Sequence, residues 1–159
     1  MASPAKAIPE GYHSLTPSLI VKDARAAVAF YQKAFGARER HIFVGPGNRV
    51  MHAEVTIGDS ILMLADEMPD MGCLSPESLK GSAAALYLYV PDVDAVFDQA
   101  VKAGAQVKMP VGDMFWGDRC GTLADPFGHQ WTIATHKEDL TPEQMQTRGD
   151  QFFATLAKR

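Results

Sequence analysis

The sequence predicts an α+β chain of two tandem βαβββ modules with an extra C-terminal helix, and three observations predict it. Residues 19–37, LIVKDARAAVAFYQKAFGA, and 88–105, LYVPDVDAVFDQAVKAGA, each read as an apolar strand, an Asp, an Ala-rich amphipathic helix and a closing Gly-Ala. Leu19, Val21 and Asp23 match Leu88, Val90 and Asp92 at one constant offset, and Gly36-Ala37 match Gly104-Ala105 one residue sooner. Each helix is then followed by short apolar runs parted by Gly- and Asp-bearing turns. Self-similarity at a fixed period marks a tandem duplication. Two such modules present equivalent faces that can enclose one cavity.

In chain order, residues 1–10 carry Ser, two Pro and Lys without periodicity and read as a flexible tail. The first module, 11–66, opens with a strand over about 14–21. A helix follows over 24–35, with Asp23 as N-cap and Gly36 as its stop. Strands over 41–45 and 50–57 flank Gly45-Pro46-Gly47-Asn48, and Gly58-Asp59 turns the chain into a strand over 60–65. The Pro-, Asp-, Ser- and Met-rich stretch DEMPDMGCLSPESLK places a linker at 67–81. The second module, 82–137, repeats the order: strand 83–90, helix 93–103, strand 105–109, the loop GDMFWGDRCG, strand 121–125, the turn Asp125-Pro126-Phe127-Gly128 and strand 129–135. In 138–159, Thr141-Pro142-Glu143-Gln144 is a capping box opening a last helix. Its apolar side, Met145, Phe152, Phe153 and Leu156, needs cover from this subunit or from a second copy, so a homodimer is expected.

Composition bounds the partners. The chain has 159 residues, 47% hydrophobic and 21% charged, which is ordinary globular material for one domain or two fused half-domains. A net charge of -4 with 15 scattered Lys and Arg offers no basic stripe, so no nucleic-acid partner is expected. MASPAKAIPEGYH lacks the apolar core of a secretory signal, and no apolar run approaches the roughly 18 residues that span a bilayer. A cytoplasmic protein without a membrane partner is expected. Cys73 and Cys120 are too few for a disulfide framework and read as reduced thiols.

The stretch AVAFYQKAFGA in the first helix, and above all WGDRCGTLADPFGHQWTIATHKED, resemble the vicinal oxygen chelate superfamily, the glyoxalase, bleomycin-resistance and extradiol-dioxygenase group. Within it they are similar to the PhnB-like branch. The resemblance covers about residues 12–140. It implies that each module curls into a half-barrel, with helices on the convex side and a ligand cavity on the concave side. It also implies that a metalloenzyme of the group would hold a divalent cation through one His, Glu or similar ligand on each of four strands. Those positions fall here on Thr16, about Met63, Ala85 and Thr132, none of them a ligand of the needed kind. Residues 61–65, 83–90 and 131–135 contain no His, Glu, Asp or Cys at all. No cofactor is therefore expected, the alternative being a divalent metal on displaced ligands such as His52, Glu54 and His136.

Strand alternation sorts the remaining side chains. In 50–57, Met51, Ala53, Val55 and Ile57 suit a helix, which turns Val50, His52, Glu54 and Thr56 inward. Likewise Thr16, Ser18, Ala85, Tyr87, Tyr89, Thr132, Ala134 and His136 face inward. Glu54 and His52 are the candidate catalytic pair, with Glu54 as a base of raised pKa and His52 as acid or clamp. The competing reading is a solvated face or a self-satisfied pair. The ligand-binding candidates are Thr16, Ser18, Tyr87, Tyr89, Trp116, Asp118, Arg119, Thr132 and His136: Trp116 for stacking, Arg119 to fork onto an anion, Asp118 with it or holding the loop. The expected function is binding of a small organic ligand, by sequestration or carriage, in the inter-module cavity. The alternative is a lyase or isomerase, either metal-independent through Glu54 and His52 or lactoylglutathione-lyase-like with displaced ligands.

Overall fold

The protein is described by a computed structural model over residues 5–158; part of the expected tail, 1–4, lies outside the described residues. Residues 5–10 are exposed. The first module runs β1 (Ser18–Val21), α1 (Ala24–Phe35), β2 (Arg38–Val44), β3 (Val50–Ile57) and β4 (Ser60–Asp66). After the linker helix α2 (Pro76–Leu79), the second runs β5 (Ala85–Tyr89), α3 (Val93–Ala103), β6 (Gln106–Asp113), β7 (Asp118–Ala124) and β8 (Gln130–His136). A final helix, α4 (Pro142–Leu156), closes the chain.

The two sheets have the same order, β1-β4-β3-β2 and β5-β8-β7-β6, and neither closes into a barrel. In each, the first and last strands pair in parallel and the others are antiparallel. The registers repeat as well: Ser18 and Glu54 both pair with Met63, as Tyr87 and Thr122 both pair with Thr132.

Local chemistry accounts for the helix bounds. The Asp23 and Asp92 side chains accept the N–H groups of Ala26 and Ala95, as N-caps do. Gly36 ends α1 at φ 66°, a left-handed conformation that costs a residue with a Cβ far more.

Several bounds differ from the sequence reading, and one helix is added. β1 starts at Ser18 rather than 14, because Pro17 has no N–H for the ladder. β2 starts at Arg38, three residues early, and carries register shifts that blur its alternation. β6 and β7 extend into GDMFWGDRCG, reducing that loop to 114–117. The linker contains α2, whose Ser75 caps the N–H of Ser78 ahead of Pro76, a start signal hidden by the surrounding turn residues.

The modules meet chiefly through α1 against α3, and they share no strand ladder. Tyr31, Phe35 and Trp131 form the aromatic centre of the core, with Phe35 and Trp131 rings 4.6 Å apart. Asp125, nearly buried, accepts from Tyr31 Oη at 2.6 Å, from Trp131 Nε1 at 3.0 Å and from the backbone N–H of Phe127 and His129 at 2.9 Å each. The Asp-Pro-Phe-Gly turn is thus structural: four donors make a buried carboxylate tolerable where an unpaired one would not be.

Candidate functional site

From His52 onward β3 divides its side chains as alternation requires; Val50, read as inward, is instead buried in the core and Met51 is partly exposed, next to the register shift at Phe43 and Val44. Ala53, Val55 and Ile57 are buried on the helix side, while His52, Glu54 and Thr56 are half-buried on the other. His52 Nε2 and Glu54 Oε1 are 2.9 Å apart, and Arg40 Nε donates to Glu54 Oε2 at 3.3 Å. The Arg40 guanidinium also lies 5.5 Å from the centre of the Tyr12 ring. Burial pushes the Glu54 carboxyl up, but hydrogen bonds from His52 and Tyr12 and the charges of His52 and Arg40 outweigh it. Glu54 is therefore held below the usual carboxylate range, not raised toward neutrality as the sequence reading expected. It suits a hydrogen-bond acceptor or cation partner better than a base at neutral pH.

The inward face of the second sheet is built around Asp118, whose side chain is only 4% exposed. Tyr87 Oη and Tyr89 Oη donate to its Oδ2 at 3.0 and 2.9 Å, and His136 Nδ1 lies 2.8 Å from its Oδ1. Burial again pushes this carboxyl up, and those three partners bring it below its ordinary value. His136 Nε2 meets Asp139 at 2.9 Å, and the two carboxylates hold the imidazole above its ordinary value. Opposite Tyr89 the sheet carries Ala134 and then Cys120, small residues over which the phenols reach Asp118. Their rings, 5.1 Å apart and tilted 44°, remain about half exposed. Trp116, in the 114–117 turn, stands beside the Tyr87 hydroxyl and packs edge-on against Phe115.

Other candidates lie elsewhere. Arg119 follows Asp118 on β7 and so faces the opposite side. There it forks onto Asp94 of α3 at 2.7 and 2.8 Å and reaches Asp113 at 3.1 Å, clamping the first turn of α3 to the sheet. It joins neither inward cluster, and Asp118 pairs with His136 rather than with Arg119. Thr16 lies before β1, its hydroxyl donating to the His13 carbonyl at 3.4 Å, and Ser18 is exposed at the start of β1. Thr132 shares a hydrogen bond with Thr122 at 3.1 Å. Thr16 and Tyr87 meet at a cavity of about 240 Å³ on the seam between modules.

The metal positions that the resemblance implies do not fit a metal here. Thr16, Met63, Ala85 and Thr132 offer two hydroxyls, a thioether and a methyl, a donor set poor for a hard or borderline divalent ion. Among the described residues no three His, Cys, Asp or Glu side chains gather to hold one.

Tyr12, Arg40 and Asp139 are site neighbours that sequence reasoning missed. Arg40 sits at the register shift between Glu39 and His41, where strand parity does not predict direction. Tyr12 and Asp139 lie outside the strands altogether.

The Glyoxalase/Bleomycin resistance protein/Dioxygenase superfamily model matches residues 12–133. The chain belongs to this superfamily. The uncharacterized protein Rv0887c of Mycobacterium tuberculosis H37Rv is 40% identical over 136 residues, covering 84% of this chain and 80% of that protein. Among solved structures, the Arabidopsis thaliana At5g48480 gene product is 28% identical, with a TM-score of 0.62 over 77% of this superfamily member and 98% of that chain. A PhnB protein from Bacillus cereus is 22% identical at a TM-score of 0.60, over 77% of this chain and 99% of that one, a likeness of fold alone. The superfamily match ends before α4.

Proposed function

We propose that this superfamily member binds a small organic ligand on the inward faces of its sheets, as a sequestering or carrier protein of the bleomycin-resistance kind without a built-in metal. One observation carries the reading. Asp118 pins Tyr87 and Tyr89 by their hydroxyls, so two rings lie half open beside Trp116. Rings held this way have already lost their side-chain freedom, and a planar ligand can stack on them at little further entropic cost. Placement in the PhnB-like branch accords with this reading. So does a homodimer, since β2 and β6 are free sheet edges and Phe43, Phe152 and Phe153 are exposed. No helix among the described residues is long and apolar enough to cross a membrane.

A second reading, a metal-independent lyase or isomerase, draws on the 2.9 Å contact between His52 and Glu54. The two separate experimentally. Aromatic small molecules are screened by quenching of Trp116 fluorescence, and hits are titrated against wild type, Tyr89→Ala and Glu54→Gln. Binding lost in Tyr89→Ala supports the stacking site; turnover abolished in Glu54→Gln supports the enzyme.

A further inference from the structure

We infer that the seam between the modules holds a second site, which adjoins the tyrosine face at Tyr87 but does not include Tyr89, for an uncharged single-ring compound with one hydrogen-bonding substituent, a phenol being the simplest. The seam cavity measures about 240 Å³. That is below the roughly 300 Å³ at which drug-sized pockets begin, and above the roughly 150 Å³ that admits benzene.

Both modules build it. Leu62 comes from the first sheet; Leu86, Leu88 and Trp131 come from the second. No Lys, Arg, Asp or Glu lines it, so a charged ligand would enter without a counter-charge. Its polar side chains are His13 and Thr16 from the segment before β1, Ser60 at the start of β4, and Tyr87 of β5. Thr16 Oγ1 donates to the His13 carbonyl at 3.4 Å and Ser60 Oγ to Asp59 at 3.0 Å, so both hydroxyls offer a substituent their oxygens as acceptors, beside the exposed His13 imidazole.

Comparing the duplicated strands shows why the space exists. Leu19 and Val21 of β1 are buried at 8% and 0% exposure, and α2 packs beside that strand. Their counterparts Leu88 and Val90, with Leu86, are only partly buried, and β5 packs chiefly on β8. The first module has a linker helix beside its edge strand. Beside the edge strand of the second lies the cavity that both modules line.

The test titrates p-cresol, toluene and benzoate into the full chain while methyl resonances are followed by NMR. Saturable p-cresol binding with a Kd on the order of 0.1–1 mM is expected, with shifts at Leu62, Leu86 and Leu88. Benzoate should bind at least about tenfold more weakly. Leu86→Trp, which fills the cavity, should weaken p-cresol about tenfold, whereas Tyr89→Ala should leave it within about twofold. Thr16→Val with Ser60→Ala, at the rim where folding is not at risk, should weaken p-cresol severalfold and leave toluene unchanged. No saturation, unchanged affinity in the rim variant, or loss in Tyr89→Ala equal to that in Leu86→Trp would each overturn the assignment. Failure of the tyrosine-face reading alone leaves these results untouched.

Discussion

Tyr31 and Asp125 belong to different modules, lie 94 residues apart in the chain, and meet side chain to side chain at 2.6 Å. The contact joins the two duplicated units out of reach of solvent, since Tyr31 is fully buried and Asp125 nearly so. Burial and the neighbouring carboxylate together raise the phenol well above its ordinary value, so it is a donor to Asp125 at neutral pH.

Tyr31→Phe should therefore destabilise the protein by about 2 kcal/mol, the net worth of a hydrogen bond to a charged group. Asp125 keeps three donors, so the fold should survive. Urea denaturation measures the change. A loss below about 0.5 kcal/mol would show that the carboxylate finds a substitute partner.

Gly117 has φ 96°, and a Cβ built on it would run into the Glu138 carbonyl, while the N–H groups of Lys137 and Glu138 donate to its own carbonyl. Gly117→Ala should cost about 1–3 kcal/mol. The damage should be local: amide exchange should rise in 137–141 and α4 before the sheets respond.

The Asp118–His136 pair predicts the shape of the pH profile. His136 sits above its ordinary value of 6.5, because Asp118 and Asp139 bond it. Its stabilisation is fully present below pH 6.5 and is lost as pH rises through the raised folded value. Asp118 is held below its ordinary 3.8, so its contribution is present above that pH and lost as pH falls through the lowered folded value. The pair is thus most stabilising between about pH 4 and 6.5. In thermal melts across pH, His136→Gln should flatten the alkaline limb, and an undiminished slope there would remove His136 from the account.

Glu54 should titrate below the usual carboxylate value in a carbon-detected NMR titration, since His52, Tyr12 and Arg40 outweigh its burial. A midpoint near neutrality would restore the general-base reading. Glu54→Gln keeps the size but removes the charge that His52, Tyr12 and Arg40 favour, so it should lower the melting temperature modestly at neutral pH and leave the fold intact.

Light scattering at micromolar concentration should give a dimer mass. Deleting 141–159 should weaken the dimer, because it removes the exposed faces of Phe152 and Phe153. A monomer mass throughout that range would contradict the proposal.

The duplication, the helix caps and the strand alternation were legible because each rests on local chemistry: an Asp before an apolar run, a Gly after it, a period of two. That was enough to place His52 with Glu54 and to turn Tyr87, Tyr89 and His136 inward. Arg119 escaped, because its side depends on where β7 begins. Extending that strand back to Asp118 sends Asp118 to the inward face and Arg119 to α3. The low carboxyl of Glu54 was also hidden. Its direction depends on Arg40 and Tyr12, one beside a strand irregularity and the other in a loop, and no period in the sequence brings either to Glu54.

The helix-to-helix junction of the modules has a consequence for how the protein can change over generations. Cohesion rests on α1, α3 and the Asp125 hub, while both candidate binding faces lie on the far sides of their sheets. On those two faces, substitutions that retune recognition therefore fall on residues the core does not lean on, unlike at the seam cavity, which Leu62 and Trp131 of the core line. Such a scaffold can drift among ligands without passing through unfolded intermediates, and selection can act on its specificity almost independently of its stability.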